Sequence, residues 1–162
     1  DQLIAQVQLQ LVEQLNIAIN EVEKTVQSST AALPAYRLLQ SLPGVGKILG
    51  LTITLETGDI NRFGTAGDYA SYSRCVDSKR LSNGKKKGEG NVKNGNRYLA
   101  WAFVEAAHFA RRYCPQAQRF YERKKTRTNN IVATKALAHK LARACYHMMK
   151  ERQPFDVKRC FA

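Results

Sequence analysis

The sequence predicts an all-α protein: a long N-terminal helix, then a helical domain interrupted by one basic, glycine-rich loop. Three observations predict it. Residues 2–30 hold no glycine or proline and repeat apolar residues every three or four positions. Residues 131–151 carry a helical core stripe, and residues 97–113 form a largely apolar run after a capping Asn96. The 162 residues are 44% hydrophobic, which suits one core, so the chain reads as one domain or one domain with a helical appendage.

The first helix carries two overlapping apolar stripes. Val12, Leu15, Ile19, Val22 and Val26 form one, and Ile4, Leu11, Leu15, Ala18 and Val22 the other. A face that wide is too apolar to stand alone in water. About three heptads are visible, which suits a coiled coil or dimer arm, with an ordinary core helix as the alternative. The arm, residues 1–33, is set apart from a helical domain over 34–162.

Leu33-Pro34 breaks the arm, Tyr36 to Gln40 restart a helix, and Leu42-Pro43-Gly44-Val45-Gly46-Lys47 follows. This hydrophobic-Pro-Gly-hydrophobic-Gly turn resembles a helix-hairpin-helix element over about 36–57. Glycines permit the tight turn, and backbone N–H groups at a helix start suit a phosphate. Gly44, Val45, Gly46 and Lys47 are therefore candidate nucleic-acid contacts, independent of base sequence. A connector with no ligand is the alternative. The next helix spans Lys47 to Leu55, with a strand competing because Thr52, Ile53 and Thr54 are β-branched.

Gly58-Asp59 reads as a helix stop and a turn, and Thr65 to Tyr72 as a short helix. The basic loop occupies about 77–95. Asn96 then caps a helix over Arg97 to Tyr113, apolar on nearly all sides and so expected as the buried centre. His108 within it reads as a core or edge histidine, since no ligand cluster accompanies it. Pro115 opens a helix that ends in Arg119, Arg123, Lys124, Lys125 and Arg127, with Phe120 and Tyr121 among them. Basic residues with interleaved aromatics suit a nucleic-acid backbone, so Arg123, Lys124 and Lys125 join the candidates, with a solvated helix face as the alternative. Asn129 or Asn130 caps a last helix to about Glu151, with Ala138, Leu141, Cys145 and Met148 as its core stripe. The tail after Gln153 carries no signal. The domain is expected to hold five to seven helices.

The net charge of +13 is unevenly placed. Residues 1–40 carry two basic and four acidic side chains, and residues 41–162 carry 24 and nine. An electropositive body with a mildly acidic arm fits nucleic acid on the body and protein on the arm. Cys75, Cys114, Cys145 and Cys160 lie far apart with no CxxC pair, which fits a reducing cytoplasm better than disulfides or zinc. No apolar run suits a membrane span and no signal-peptide pattern appears. The chain opens at Asp1 without methionine and is read as a piece of something longer.

The densest signal is Lys79 to Arg97, with seven Lys/Arg, one acid and four glycines. Lys79, Arg80, Lys85, Lys86, Lys87, Lys93, Asn96 and Arg97 are candidate nucleic-acid contacts. The stretch also holds a hydroxyl nucleophile, Ser82, which could attack a phosphodiester. A free serine is a weak nucleophile that needs a base or a metal. Ser71, Ser73 and Ser78 lie nearby, so spacing alone does not single out Ser82. Carboxylates in the body are scattered singly, which argues against a two-metal nuclease within this chain.

Four motifs, in order, carry a resemblance. They are Leu42-Pro43-Gly44-Val45-Gly46, Gly58-Asp59-Ile60-Asn61-Arg62-Phe63, Leu81-Ser82-Asn83-Gly84-Lys85-Lys86-Lys87-Gly88, and Asn91-Val92-Lys93-Asn94-Gly95-Asn96-Arg97-Tyr98-Leu99. Together, over about Leu38 to Lys150, they resemble the C-terminal half of a bacterial insertion-sequence transposase of the one-ten/eleven-eleven group, the bridge-RNA-guided serine recombinases. The resemblance implies that Ser82 is the nucleophile, with Ser78 second, and that it forms a transient phosphoserine link during DNA transposition. It implies DNA and a guide RNA as partners, a homo-oligomer joined through the N-terminal helix, and a bacterial cytoplasmic setting. It places Mg2+ on the carboxylates of an N-terminal RuvC-like domain absent from this chain, leaving no cofactor here. A fragment without that domain is expected to bind nucleic acid without recombining it. A non-catalytic helix-hairpin-helix module is the competing reading.

Overall fold

The computed structural model describes residues 1–76, 79–83, 85–89 and 94–162. They form two compact units, Asp1–Leu33 and Pro34–Ala162. The protein is all-α. Eight α-helices lie among the described residues, seven of them in the second unit.

The first unit is helix α1, Gln2–Thr30. The long stretch free of glycine and proline explains its length. Both stripes are solvent-facing along it: Ile4, Leu11, Leu15, Ile19 and Val22 are each more than half exposed.

In the second unit, α2 spans Pro34–Leu39 and α3 spans Lys47–Thr57, so the β-branched run Thr52–Thr54 is helical and the strand alternative fails. Thr52 and Thr54 bond back to the carbonyls of Ile48 and Gly50, which satisfies their hydroxyls inside the helix. Gly58 ends α3 with φ 58°. A 3-10 turn, Ile60–Arg62, starts on Asp59, whose carboxylate accepts from the Asn61 N–H. Helix α4, Ala66–Tyr72, opens on a capping box between Thr65 and Asp68.

Helix α5, Arg97–Tyr113, starts where Asn96 Oδ1 accepts from the N–H groups of Tyr98 and Leu99. Pro115 begins α6, Pro115–Lys125, and Asn129 caps α7, Asn130–Glu151, by accepting from Val132. The core packs α5, α6 and α7 together with α3 and α4. Leu39, Leu42, Ile53, Tyr69, Leu99, Phe103, Leu137, Leu141 and Cys145 are its largest fully buried apolar members.

Three expectations need correction. Helix α5 is not apolar-buried on nearly all sides. Leu99, Ala102, Phe103, Ala106, Ala107 and Ala110 are buried, but Tyr98, Trp101, Phe109 and Tyr113 are exposed on the opposite arc. Apolar residues all around a helix do not show which of them find a partner. The tail is also structured. Helix α8, Val157–Phe161, packs Phe161 near Phe120 and Phe155, and Arg159 binds Glu151. Finally, the basic segment is not all loop. Strands β1, Lys79–Ser82, and β2, Lys85–Glu89, pair as an antiparallel ribbon. Lys79 faces Glu89, and the register slips between Arg80 and Leu81, so Lys87 is a bulge residue.

Candidate nucleic-acid interface and serine-bearing ribbon

The turn after α2 is built by close approach. Leu42 accepts from the Val45 N–H at 3.0 Å. Gly44 has φ 82°, and a Cβ there would lie 2.0 Å from the Ala106 carbonyl oxygen and 2.7 Å from the Ala110 nitrogen. Glycine at 44 thus lets the turn press onto the backbone of α5. Val45 is buried and its N–H donates within the turn. Gly46 and Lys47 are exposed at the start of α3. A cleft opens beside them, lined by Pro43, Gly44, Gly46, Lys47, Ile48, Phe109 and Tyr113.

At the far end of α3 a second construction ties together the chain segments that flank the ribbon. The Asn96 N–H donates to the Tyr72 carbonyl at 2.6 Å. Arg74 donates to the Gly95 carbonyl through Nε at 3.1 Å and Nη2 at 2.8 Å. Asn96 Nδ2 donates to Glu56 Oε2 at 2.6 Å, while its oxygen caps α5. Gly95 has φ 94°, and a Cβ there would lie 2.4 Å from the Tyr72 oxygen. Arg62 stacks over Tyr72 and Phe63, at 4.6 and 4.5 Å from the ring centroids. Hydrogen bonds from Arg62 and then Asn96 hold the Tyr72 hydroxyl below its ordinary range. The ends of α3 and α4 and the start of α5 therefore converge where the ribbon leaves and returns.

Because Gly44 sits on Ala106 and Ala110 while Glu56 reaches Asn96, α3 and α5 run antiparallel. The turn and the ribbon feet stand at opposite ends of this pair, separated by the length of α3, about 16 Å for its 11 residues.

The remaining expected residues are distributed as follows. Ser82 ends β1 and pairs with Lys85, which is exposed. Lys79 and Arg80 lie on β1, and Lys86 and Lys87 on β2. Ser78 and Lys93 lie outside the described residues. Asn96 is used as a cap and a clamp. Arg97 is exposed and donates to its neighbour Tyr98. Arg123, Lys124 and Lys125 are exposed at the end of α6, with Lys125 near Glu122 at 3.7 Å. Sequence reasoning missed Glu56, Arg62, Tyr72 and Arg74. Glu56 and Asn96 are 40 positions apart, and Arg74 and Gly95 are 21 apart, so no local spacing marks them.

Residues 36–122, more than half of the chain, match the transposase family IS116/IS110/IS902. The chain belongs to this family. The IS117 mini-circle protein of Streptomyces coelicolor is 30% identical over 95% of this chain and 38% of its own length. The 43.6 kDa protein of insertion element IS110 from the same organism is 28% identical over 68% of this chain and 28% of its own. The 44.8 kDa protein of IS116 from Streptomyces clavuligerus is 26% identical over 91% and 36%. The chain therefore spans little more than a third of these relatives at most. The family match covers the turn, the ribbon and the clamp together. No helix among the described residues is long and apolar enough to cross a membrane.

Proposed function

We propose that this chain is the DNA-binding, serine-bearing part of a transposase that cuts and rejoins strands through a phosphoserine intermediate. The observation that carries this reading is the position of Ser82 within the family match, at the end of the first strand of a basic ribbon whose flanking segments are tied to each other by Arg74–Gly95 and Asn96–Tyr72 bonds. In the step, the Ser82 oxygen bonds to phosphorus and the bond to the leaving deoxyribose oxygen breaks. The serine proton passes to a base, and the leaving oxygen takes up a proton. Lysines along the ribbon stabilise the charge that gathers on the phosphoryl oxygens.

Mg2+ is implied by the resemblance, but the residues present do not fit it. Among the described residues no group of three His, Cys, Asp or Glu is placed to hold a metal ion. In this proposal the metal-bearing carboxylates lie on a domain outside this chain. The chain alone then binds DNA without recombining it.

A guide RNA, a bacterial cytoplasmic setting and a homo-oligomer joined through α1 belong to the same proposal. The exposed apolar stripes on α1 support the oligomer. Sedimentation of Leu15→Glu against the unsubstituted chain tests it, and equal masses would remove α1 from assembly. Ser82→Ala in the full-length protein is the test of the chemistry. Covalent protein–DNA adducts are expected to vanish while DNA affinity stays within about twofold. Adducts that persist, together with lost binding in a Lys85/Lys86/Lys87→Ala variant, would favour a module that only holds DNA.

A further inference from the structure

The outward arc of α5 is only partly covered within the second unit, yet it is rich in rings. Tyr98, Trp101, Phe109 and Tyr113 are 48%, 48%, 41% and 78% exposed. On a helix of 3.6 residues per turn they share one arc with Arg97, Arg112 and the partly buried His108 and Glu105. Large rings cost free energy in water, and several of them exposed on one face mark a contact surface. The run has a direction. Phe109 and Tyr113 line the cleft beside Gly46 and Lys47. Trp101 and Tyr98 lie at the other end, a turn from Asn96, where the ribbon returns to the body. From Tyr98 to Tyr113 the stripe covers about 22 Å.

Charge selects the occupant. Lys47, Arg97 and Arg112 flank the rings. The one acid on the arc is Glu105, and Glu56 at its lower end is already held by Asn96. Arg97 lies 4.8 Å from the Tyr98 ring centroid and covers that ring, which leaves Trp101, Phe109 and Tyr113 as the open surfaces. Rings interleaved with cations suit a strand whose bases are unstacked. Each base lies flat on a ring, and the backbone follows the positive rim. A duplex keeps its bases stacked inside and presents phosphates, so it has no use for the rings.

We infer that the outward face of α5 is a stacking platform for an unpaired DNA strand, leading it from the Gly44–Lys47 turn to the foot of the Ser82 ribbon. This rests on the reading of the chain as a DNA-binding part of a transposase and names the form of its substrate.

Trp101 is the single tryptophan of the chain, so its fluorescence reports on this face alone. The experiment titrates the 162-residue chain at fixed salt with a single-stranded DNA oligonucleotide, its duplex and the same strand as RNA. Binding is followed independently by anisotropy of a labelled oligonucleotide. Single-stranded DNA is expected to quench Trp101 strongly, and the duplex to bind with much less quenching. Tyr113→Ala is expected to weaken single-strand binding about 5- to 150-fold, the effect of losing one stacked base. Duplex affinity stays within about twofold, and Tyr113→Phe restores the single-strand value. Tyr113 is largely exposed, so helix content by circular dichroism should not move. Saturated single-strand binding with no change in Trp101, or equal losses for single strand and duplex in Tyr113→Ala, overturns the inference and leaves DNA binding standing. Quenching by RNA alone, or by rising protein concentration without nucleic acid, also overturns it, by giving the face to RNA or to a second copy. No binding of any oligonucleotide sinks the DNA-binding reading as well.

Discussion

Two glycines in the left-handed region stand at opposite ends of the α3–α5 pair, and they are anchored by different forces. Gly44 lies against the Ala106 carbonyl in a site made by packing, with Leu42 and Val45 buried on either side. Gly95 lies against the Tyr72 carbonyl in a site made by hydrogen bonds, with Arg74, Asn96 and Glu56 around it. The first turn is part of the fold itself. The second is a polar fastening between the chain segments on either side of the ribbon. Damage at the first should therefore appear as lost stability, and damage at the second as lost function on an intact body.

The largest effect is expected at Gly44→Ala. The new methyl meets backbone atoms on α5, and φ 82° strains any residue with a Cβ. Overpacking and backbone strain together should destabilise the chain by about 3 kcal/mol or more. For a protein of this size that lowers the melting temperature by roughly 6–12 °C. Calorimetry or thermal circular dichroism measures it. A change under about 2 °C would show that the turn can lift off α5 at little cost, and the contrast between the two ends would be lost.

Arg74→Ala comes next and tests the other end. It removes both bonds to the Gly95 carbonyl while leaving the Asn96–Tyr72 bond. One such pair contributes about 1–2 kcal/mol, so melting should move by a few degrees. The functional effect should be larger. A nucleophile displaced by about 1 Å loses about 100-fold in rate, so adduct formation in the full-length protein should fall roughly 10- to 100-fold. DNA affinity should change far less than the adduct rate. If rate and affinity fall together, Arg74 contacts DNA directly and the clamp is not a positioning device.

These two sites also mark how far the sequence can be read. The Gly44 end was legible because its signal is local. Pro43, Gly44 and Gly46 fall within four residues, and the helices on each side declare themselves by periodicity. Asn96 as a cap, Pro115 as a helix opener and the α7 core stripe were legible for the same reason. The clamp was not. Its members come from the ends of α3 and α4 and the start of α5, and a polar contact across a fold leaves no spacing to find. The exposed arc of α5 was misread because burial depends on neighbours, and periodicity cannot count them. Yet one signal was present: Tyr98, Trp101, Phe109 and Tyr113 recur on one arc with Arg97 and Arg112, while the opposite arc is mostly alanine. The ribbon was missed because Lys and Gly disfavour strands, so its pairing is not a matter of propensity.

The smallest effect separates charge from burial as the source of strength in a polar fastening. Arg159 binds Glu151 and ties α8 to α7 through exposed side chains, with one bond at 2.7 Å. Arg159, and His147 beside it, hold the Glu151 carboxyl down at about 2. A carboxyl with a depressed folded value stabilises the fold above its unfolded value, near 4.3, and loses that contribution as pH falls toward about 2. Acidification through this window should loosen α8, seen as lower protection of the Val157 to Phe161 amides, that is, faster exchange relative to the intrinsic rate at each pH. Global melting should respond little to this pair, because exposed ion pairs are screened by water and salt. In Glu151→Gln the α8 protection should already be lowered at neutral pH, and its change through the acid window should largely disappear. An unchanged acid response in that variant would assign the loosening to another carboxylate, with Asp156 at the α8 start the first to examine. A large loss of global stability would show that exposure does not weaken such ties here, and the contrast drawn between the Gly44 and Gly95 ends would need a different physical basis.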